Sequence, residues 1–568
     1  MSYIIADNII SPLGFSTEEN VLNVLRGKSC LKKYEDHWHL PEPFMASLFS
    51  ENQQVLLKRE GLTFFESVAV HSIEQAIGNL KELTAADVKS AHSIFILSTT
   101  KANVSQLEEE KPYVLPAESA QRIADSVGLK GESIVVCNAC ISGLSAIILA
   151  DRLLRNDCYE YAVVCGIDVQ SDFIVSGFQS FKALSIDECR PFDIERLGLN
   201  LGEAAATVIL STNVGEDKHW TITDEAMSND AYHISAPSKT GVGLQMVLKE
   251  LMKNHATDEI ALINAHGTAT MFNDQMEGIA LRESGLTSIP VTGLKGYFGH
   301  TMGAAGVLET IICMHSLDKN AIPGTRGYAE LGVSGRLYIS ADARHTEKTS
   351  FIKLLSGFGG CNAGIVCSHS NESIKKKQKK EQCIVSHEVR ITGNSVEIDG
   401  NSLIVEGTGQ DMLIWLYKTY VTDYPKYYKM DKTCRLGFLA SELLLMADDD
   451  TRFQERDDRG VILFNRNTTT DTDRKFYASI DRGEYFPSPS VFVYTLPNIL
   501  TGEIAIRNMY HGETCHYLLP SFDKQMMQKV VDATFANSRL HSAITGWVDV
   551  TDDNTFTAHL QLTECINK

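Results

Sequence analysis

Short, continuous apolar runs punctuate the first two thirds of the chain: Ser93 to Leu97, Ser133 to Cys137, Ala162 to Cys165, Ala204 to Leu210 and Ala261 to Ile263. Runs of this length read as strands covered on both faces. Between them, Phe64 to Leu80 and Ser142 to Leu154 carry apolar residues at helical spacing. Strands and helices in alternation predict an α/β fold built in layers. At 568 residues the chain exceeds one ordinary core, so at least two globular units are expected.

One of these strands delivers a thiol to a helix. Val135-Val136-Cys137-Asn138-Ala139-Cys140-Ile141-Ser142-Gly143 runs straight into the helix that ends near Leu154. Unpaired N–H groups at a helix start favour a thiolate at Cys140 and can hold an oxyanion beside it. On this pattern alone, a small buried cysteine packing a strand end fits as well. Two later segments change the balance. Ile260 to Ala265 is an apolar strand ending in His266-Gly267-Thr268-Ala269-Thr270, with Asn273, Asp274 and Glu277 following. Lys295-Gly296-Tyr297-Phe298-Gly299-His300 precedes a helix of small residues that carries Glu309.

Together with the glycine turn Gly357-Phe358-Gly359-Gly360-Cys361-Asn362, these motifs resemble the elongating β-ketoacyl synthases of the thiolase superfamily. The resemblance covers residues 1 to about 368, and includes Ile10 to Gly14, Cys189 to Asp193, Gly202-Glu203 and His233 to Pro237. It implies a thiolase-like αβαβα layered fold. It also implies Cys140 as the acyl-accepting nucleophile, His266 and His300 as the pair handling malonyl decarboxylation, and Lys295 as the supporting cation. Phe358, flanked by Gly357 and Gly359, would supply an oxyanion N–H beside that of Cys140 and gate the site. Thr268 and Thr270 match hydroxyls that bind the carrier's phosphopantetheine arm, and Glu309 and Asp274 match supporting acids. A histidine at position 300, where priming enzymes use asparagine, favours elongation. Three departures, Asn138, Ile141 and Ser356 with Cys361, fall around the acyl pocket rather than on a reacting group.

A net charge of −20 argues against nucleic acid as a partner. The partner the resemblance implies is acyl carrier protein, itself acidic, so docking would need a local basic patch such as Lys58-Arg59, which also reads as a plain solvated face. No bound cofactor is expected, since the carrier's phosphopantetheine holds the substrates. Thirteen cysteines in irregular spacing indicate reduced thiols, not a disulfide framework or a metal site. With no stretch apolar enough to span a membrane and no leader-like N-terminus, a cytoplasmic protein is expected.

Residues 371 to 383, lysine-rich and almost devoid of apolar side chains, read as a linker between a ketosynthase domain (1–370) and a second domain (384–568), although a lysine run also suits an acidic carrier. The second domain repeats the first at a constant offset of 381 residues. Tyr494-Thr495-Leu496-Pro497 repeats Tyr113-Val114-Leu115-Pro116, and Ala543 to Val550 repeats Ala162 to Val169. Cys140 maps to Ser521, with no histidine motif after it. This truncated, inactive thiolase-like half is similar to the chain-length-factor-like subunits of bacterial aryl-polyene biosynthesis. Contact is expected between residues near Tyr494 to Gly512 and those near Tyr113 to Gly131, in cis as a pseudo-dimer or between two chains as a homodimer. A duplication that only stabilises the fold is the competing reading. Two functions follow: decarboxylative condensation that elongates a fatty-acid, polyketide or polyene chain, or a non-condensing decarboxylase or scaffold of the same fold.

Overall fold

The computed structural model describes residues 2–108, 114–213, 219–370, 383–481 and 483–566. Residues 371–382 of the expected linker and Tyr113 lie outside them; Cys383 already opens a strand.

Five strands build the first sheet: β1 (Ser2–Ile10), β2 (Ser93–Ser98), β3 (Glu132–Val136), β4 (Tyr161–Asp168) and β5 (Ala204–Ser211). Their spatial order is β1-β5-β4-β2-β3, with β2 parallel to both neighbours and β5 antiparallel to both of its own. A second sheet holds β6 (His219–Asn229), β7 (Leu262–Asn264), β8 (Pro290–Thr292), β9 (Ser350–Gly357) and β10 (Cys361–Ser370), in the order β6-β10-β9-β7-β8. β6 also pairs with β1. The helices that matter here are α1 (Phe64–Gly78), α2 (Pro116–Val127), α3 (Ser142–Arg155), α4 (Asp172–Ser180), α5 (Met271–Glu283) and α6 (Ala305–Asp318). α3 and α6 pack with residues of both sheets, among them Ile96 and Val164 of the first and Phe351 and Ile365 of the second. Every residue of α3 from Ser142 to Leu154 is buried, as a central layer demands. The fold is the thiolase-like layered one.

The second unit contains α7 (Lys432–Ala447), α8 (Ile499–Asn508) and α9 (Lys524–Asn537), with β11 (Cys383–Thr392), β12 (Arg459–Asn465), β13 (Thr514–Leu518), β14 (Ser542–Val550) and β15 (Phe556–Cys565). Its strand order, β11-β15-β14-β12-β13, repeats that of the first sheet, with the same parallel and antiparallel pairs. The repeat reaches a detail: the register of β1 slips between Ile4 and Ala6, and that of β11 between Val385 and His387, at the same 381-residue spacing.

Where the units differ, the difference follows from what covers them. β5 is buried at all eight positions, whereas β15 alternates: Ala558, Leu560 and Leu562 point inward, and Thr557, His559 and Gln561 are wetter. α9, the counterpart of α3, exposes Lys524, Gln525, Gln528 and Asp532. No second sheet lies over it among the described residues.

The two sheets join edge to edge within one chain. β3 and β13 run antiparallel, Tyr517 opposite Val136 and Leu518 opposite Val135, so ten strands form one continuous sheet. The join therefore lies just beyond the segments expected to touch; the strands that follow α2 and α8 make it. Side chains reinforce it. The guanidinium of Arg152 binds Glu513 of the second unit through two bonds of 2.8 and 2.9 Å and also binds Glu225, all three buried. Lys101 Nζ donates to Asp473 and to the Thr495 carbonyl. All thirteen cysteines are free thiols, and no helix among the described residues is long and apolar enough to cross a membrane.

Candidate active site

Leaving β3, the chain makes a tight turn over Ala139–Ile141 before α3 begins, with Ala139 at φ +47°. The Ser142 hydroxyl accepts the Asn138 N–H at 2.8 Å and closes the turn. Gly143 and Gly306 let the starts of α3 and α6 meet backbone to backbone; a Cβ on Gly306 would lie 2.3 Å from the Leu144 nitrogen. That approach brings the Cys140 turn against the segment that carries His300.

Each histidine is held through its backbone. The N–H groups of His266 and Gly267 donate to the Glu277 carboxylate on α5 at 2.6 and 2.8 Å. Asp274 collects N–H groups from Thr268, Ala269 and Phe192, which fixes the loop carrying Thr268 and Thr270. The hydroxyls of those two threonines lie 2.9 Å apart. His300 donates its N–H to the Asn200 carbonyl, and its Nδ1 accepts the Met302 N–H at 3.2 Å. With Nδ1 accepting, the ring proton sits on Nε2, making that atom a donor. His300 Nε2 and His266 Nδ1 are buried without a protein partner.

Cys140, His266 and His300 converge: one donor atom from each lies within 4.8 Å of the others. The imidazoles stand nearly perpendicular, centroids 5.1 Å apart. Burial, reinforced by the Lys295 charge, holds both histidines well below the usual imidazole range, so both are neutral. A thiol and two histidines are also metal-ligand types, but the neighbouring lysines make the site unfavourable to a cation.

Lys295 Nζ donates to the His266 carbonyl at 2.5 Å and to Glu309 at 2.8 Å. The other Glu309 oxygen is taken at 2.6 Å by Lys353, on β9. Two buried lysines thus share one carboxylate and hold it below its usual range. No sequence motif marks Lys353, although a single charge in the apolar run Phe351 to Leu355 is a visible signal. Nor does one mark Asp168, which ends β4 and holds Gly303 N–H, Thr99 and Thr100 in place; burial pushes its carboxyl up to about 6.

Cys140 departs from expectation in one respect. Burial pushes its thiol up to about 11, against the lowering effects of Lys295 and of the Cys140 and Phe358 N–H groups. The helix start helps, but desolvation wins. Of the expected Lys58-Arg59 patch, Arg59 is spent on Glu74 of α1.

The site opens into a cavity of about 420 Å³ lined by Cys140, His266, His300, Thr268, Thr270 and Phe358. A second, small pocket reaches from Cys140 toward the join between the units, where Phe492 and Leu496 of the second unit complete its wall with Phe178 and Phe358. The Phe492 ring lies against α4; a Cβ on Gly177 would fall 2.0 Å from it.

Known proteins similar to this chain place it in a family. Family models described as the N-terminal and C-terminal domains of β-ketoacyl synthase match residues 83–214 and 219–329. The 3-oxoacyl-[acyl-carrier-protein] synthase 2 of Vibrio cholerae serotype O1 is 31% identical over 280 residues, covering 45% of this chain and 67% of that protein. The tetracenomycin polyketide synthase ketoacyl synthase alpha subunit of Streptomyces glaucescens is 28% identical over 286 residues, 47% of this chain and 67% of that one. Among solved structures, the PfaC keto synthase-chain length factor superposes with a TM-score of 0.79 at 14% identity, covering 99% of this chain and 78% of that one. The ketosynthase ApeO of Xenorhabdus doucetiae, solved in complex with its chain length factor ApeC, gives 0.55 at 21% identity over 65% of this chain and 98% of that one. The chain belongs to the β-ketoacyl synthase family of condensing enzymes.

Proposed function

We propose that the protein elongates a Cys140-bound acyl chain by decarboxylative condensation with a malonyl unit, both delivered on acyl carrier protein. The convergence of Cys140, His266 and His300 on one cavity carries this reading. The Cys140 sulfur attacks the acyl thioester, and its proton leaves with the departing carrier thiol. This suits a thiol that is protonated at rest. The malonyl thioester then enters past Thr268 and Thr270, and its C–C bond to the carboxylate breaks with release of carbon dioxide. Charge moving onto the thioester oxygen meets His300 Nε2–H and the ring of His266. The enolate carbon attacks the acyl-Cys140 carbonyl, whose oxyanion the N–H groups of Cys140 and Phe358 receive. Collapse expels the Cys140 thiolate and frees a chain two carbons longer.

The second unit, residues 384–568, acts in this reading as a chain-length-factor-like half that closes the acyl pocket with Phe492 and Leu496. The pocket wall of Phe178, Phe358 and Phe492 suits an apolar chain, and the aryl-polyene type implied by the sequence resemblance is the substrate class proposed. Intact-mass spectrometry tests the reading. Acyl carrier should add an acyl mass to the protein, and malonyl carrier should then convert it to a released product two carbons longer. Cys140→Ala should lose both. Carbon dioxide release without a longer product would instead mean a decarboxylase, and a condensing Cys140→Ala would remove the nucleophile assignment.

A further inference from the structure

The start of α8, in the second unit, lies directly on the glycine turn of the first. Asn498 immediately precedes that start without capping it, and its side-chain Nδ2 donates instead to the Phe358 carbonyl at 2.8 Å. A Cβ on Gly359 would lie 2.8 Å from the same nitrogen, and one on Gly502 would lie 2.6 Å from the Gly359 carbonyl oxygen. The turn is gripped on its other side by Asn229, which donates to the Gly359 carbonyl at 2.8 Å and to the Thr514 hydroxyl of the second unit at 3.0 Å. Asn498 Oδ1 is buried with no partner, a cost that packing alone does not require. Phe358 matters because its own N–H faces the Cys140 sulfur.

We propose that Asn498 is a positioning residue for acyl transfer: by tethering the Phe358 carbonyl from the second unit, it fixes the glycine turn so that Phe358 N–H meets the oxyanion formed at Cys140. The second unit then contributes to the rate itself as well as to the shape of the pocket. The inference rests on the condensing reading above and deepens it.

The experiment measures condensation and malonyl decarboxylation side by side in the full chain, with wild type as the check on the condensing reading itself. Decarboxylation draws on the histidines, not on Phe358 N–H. Asn498→Leu keeps the volume and removes the donor; the ratio of condensation to decarboxylation should fall on the order of 10- to 100-fold, as for a misplaced oxyanion donor. Asn498→Asp replaces the donor with a carboxylate at neutral pH but with an O–H donor once protonated, so its condensation relative to wild type should recover as pH falls. Asn498→Leu should show no such recovery. Thermal unfolding of both variants identifies loss of fold. Equal losses of the two activities, unchanged condensation in Asn498→Leu, or an Asn498→Asp profile parallel to wild type would each overturn the proposal while leaving the condensing reading intact. Failure of wild type to condense would instead remove that reading.

Discussion

Ala139, at φ +47°, and Pro520 occupy the same place in the two units, one residue before Cys140 and Ser521 respectively. A proline is locked near φ −65°, so the turn that presents the nucleophile cannot form in the second unit. Ser521 lies exposed, and the two histidines after it, His541 and His559, stand in no counterpart of the His266 or His300 motif. Ser521→Ala should leave turnover unchanged, and Ser521→Cys should gain no acyl mass from acyl carrier. An acylated Ser521→Cys site in peptide mapping would contradict this assignment.

The raised Cys140 thiol sets a pH dependence. Only the thiolate reacts with iodoacetamide, and a thiol pushed up to about 11 is almost wholly protonated at pH 8. Alkylation of Cys140 should therefore climb about tenfold per pH unit from 8 to 10, with no plateau before the thiol titrates. A plateau near pH 7 would mean the helix start outweighs burial.

The Lys295–Glu309–Lys353 cluster predicts an order of damage. Glu309→Gln leaves two buried ammonium groups without a counter-charge and should cost about 3–5 kcal/mol in urea unfolding. Lys353→Met leaves Lys295 and Glu309 as a balanced pair and should cost less. If Lys353→Met proved the more harmful, the shared-carboxylate account would fail.

The same logic grades the join between units. Arg152→Met leaves the buried Glu225 and Glu513 without a counter-charge and should cost several kcal/mol. Lys529 and Glu132, the matching pair across the join, are partly exposed, and Lys529→Ala should cost about 1 kcal/mol or less. Thermal midpoints of the two variants measure the contrast.

Phe492, with Leu496, walls the small pocket beside Cys140 that the proposed function assigns to the acyl chain. Phe492→Ala should cost about 3–5 kcal/mol as a buried aromatic truncation and should shift products toward longer chains. Chromatography of the released acids gives the answer; an unchanged length distribution would take chain-length control away from this residue.

Much of this was legible in the sequence because it is local. The apolar runs set strands to within one residue, except that β4 continues three residues past Cys165, and Cys140, His266 and His300 stand where strands meet helices or turns. The 381-residue offset pointed to the same helices and strands built again, and the structure extends the repeat to the register slip of β1 and β11. What stayed hidden depends on approach between distant segments. Asn498 and Phe492 acquire meaning only when α8 and its preceding turn are set against Phe358. The raised Cys140 thiol stayed hidden as well, because desolvation is a property of the packed interior, not of the helix start. One signal was present and unread: the alternation of Ala558, His559, Leu560 and Gln561 marks a strand with one wet face, which fits the lack of a covering second sheet among the described residues.

The ten-stranded sheet has a consequence for stoichiometry. Because β3 and β13 belong to one polypeptide, the pairing that builds the pocket wall does not obey a dissociation constant. Each translated chain yields one reaction chamber with its own wall. Specific activity should stay constant on dilution to nanomolar protein, where two separate subunits held at the micromolar level would come apart. On the proposed reading, the Cys140 half and the half that closes its pocket are also produced in a fixed one-to-one ratio.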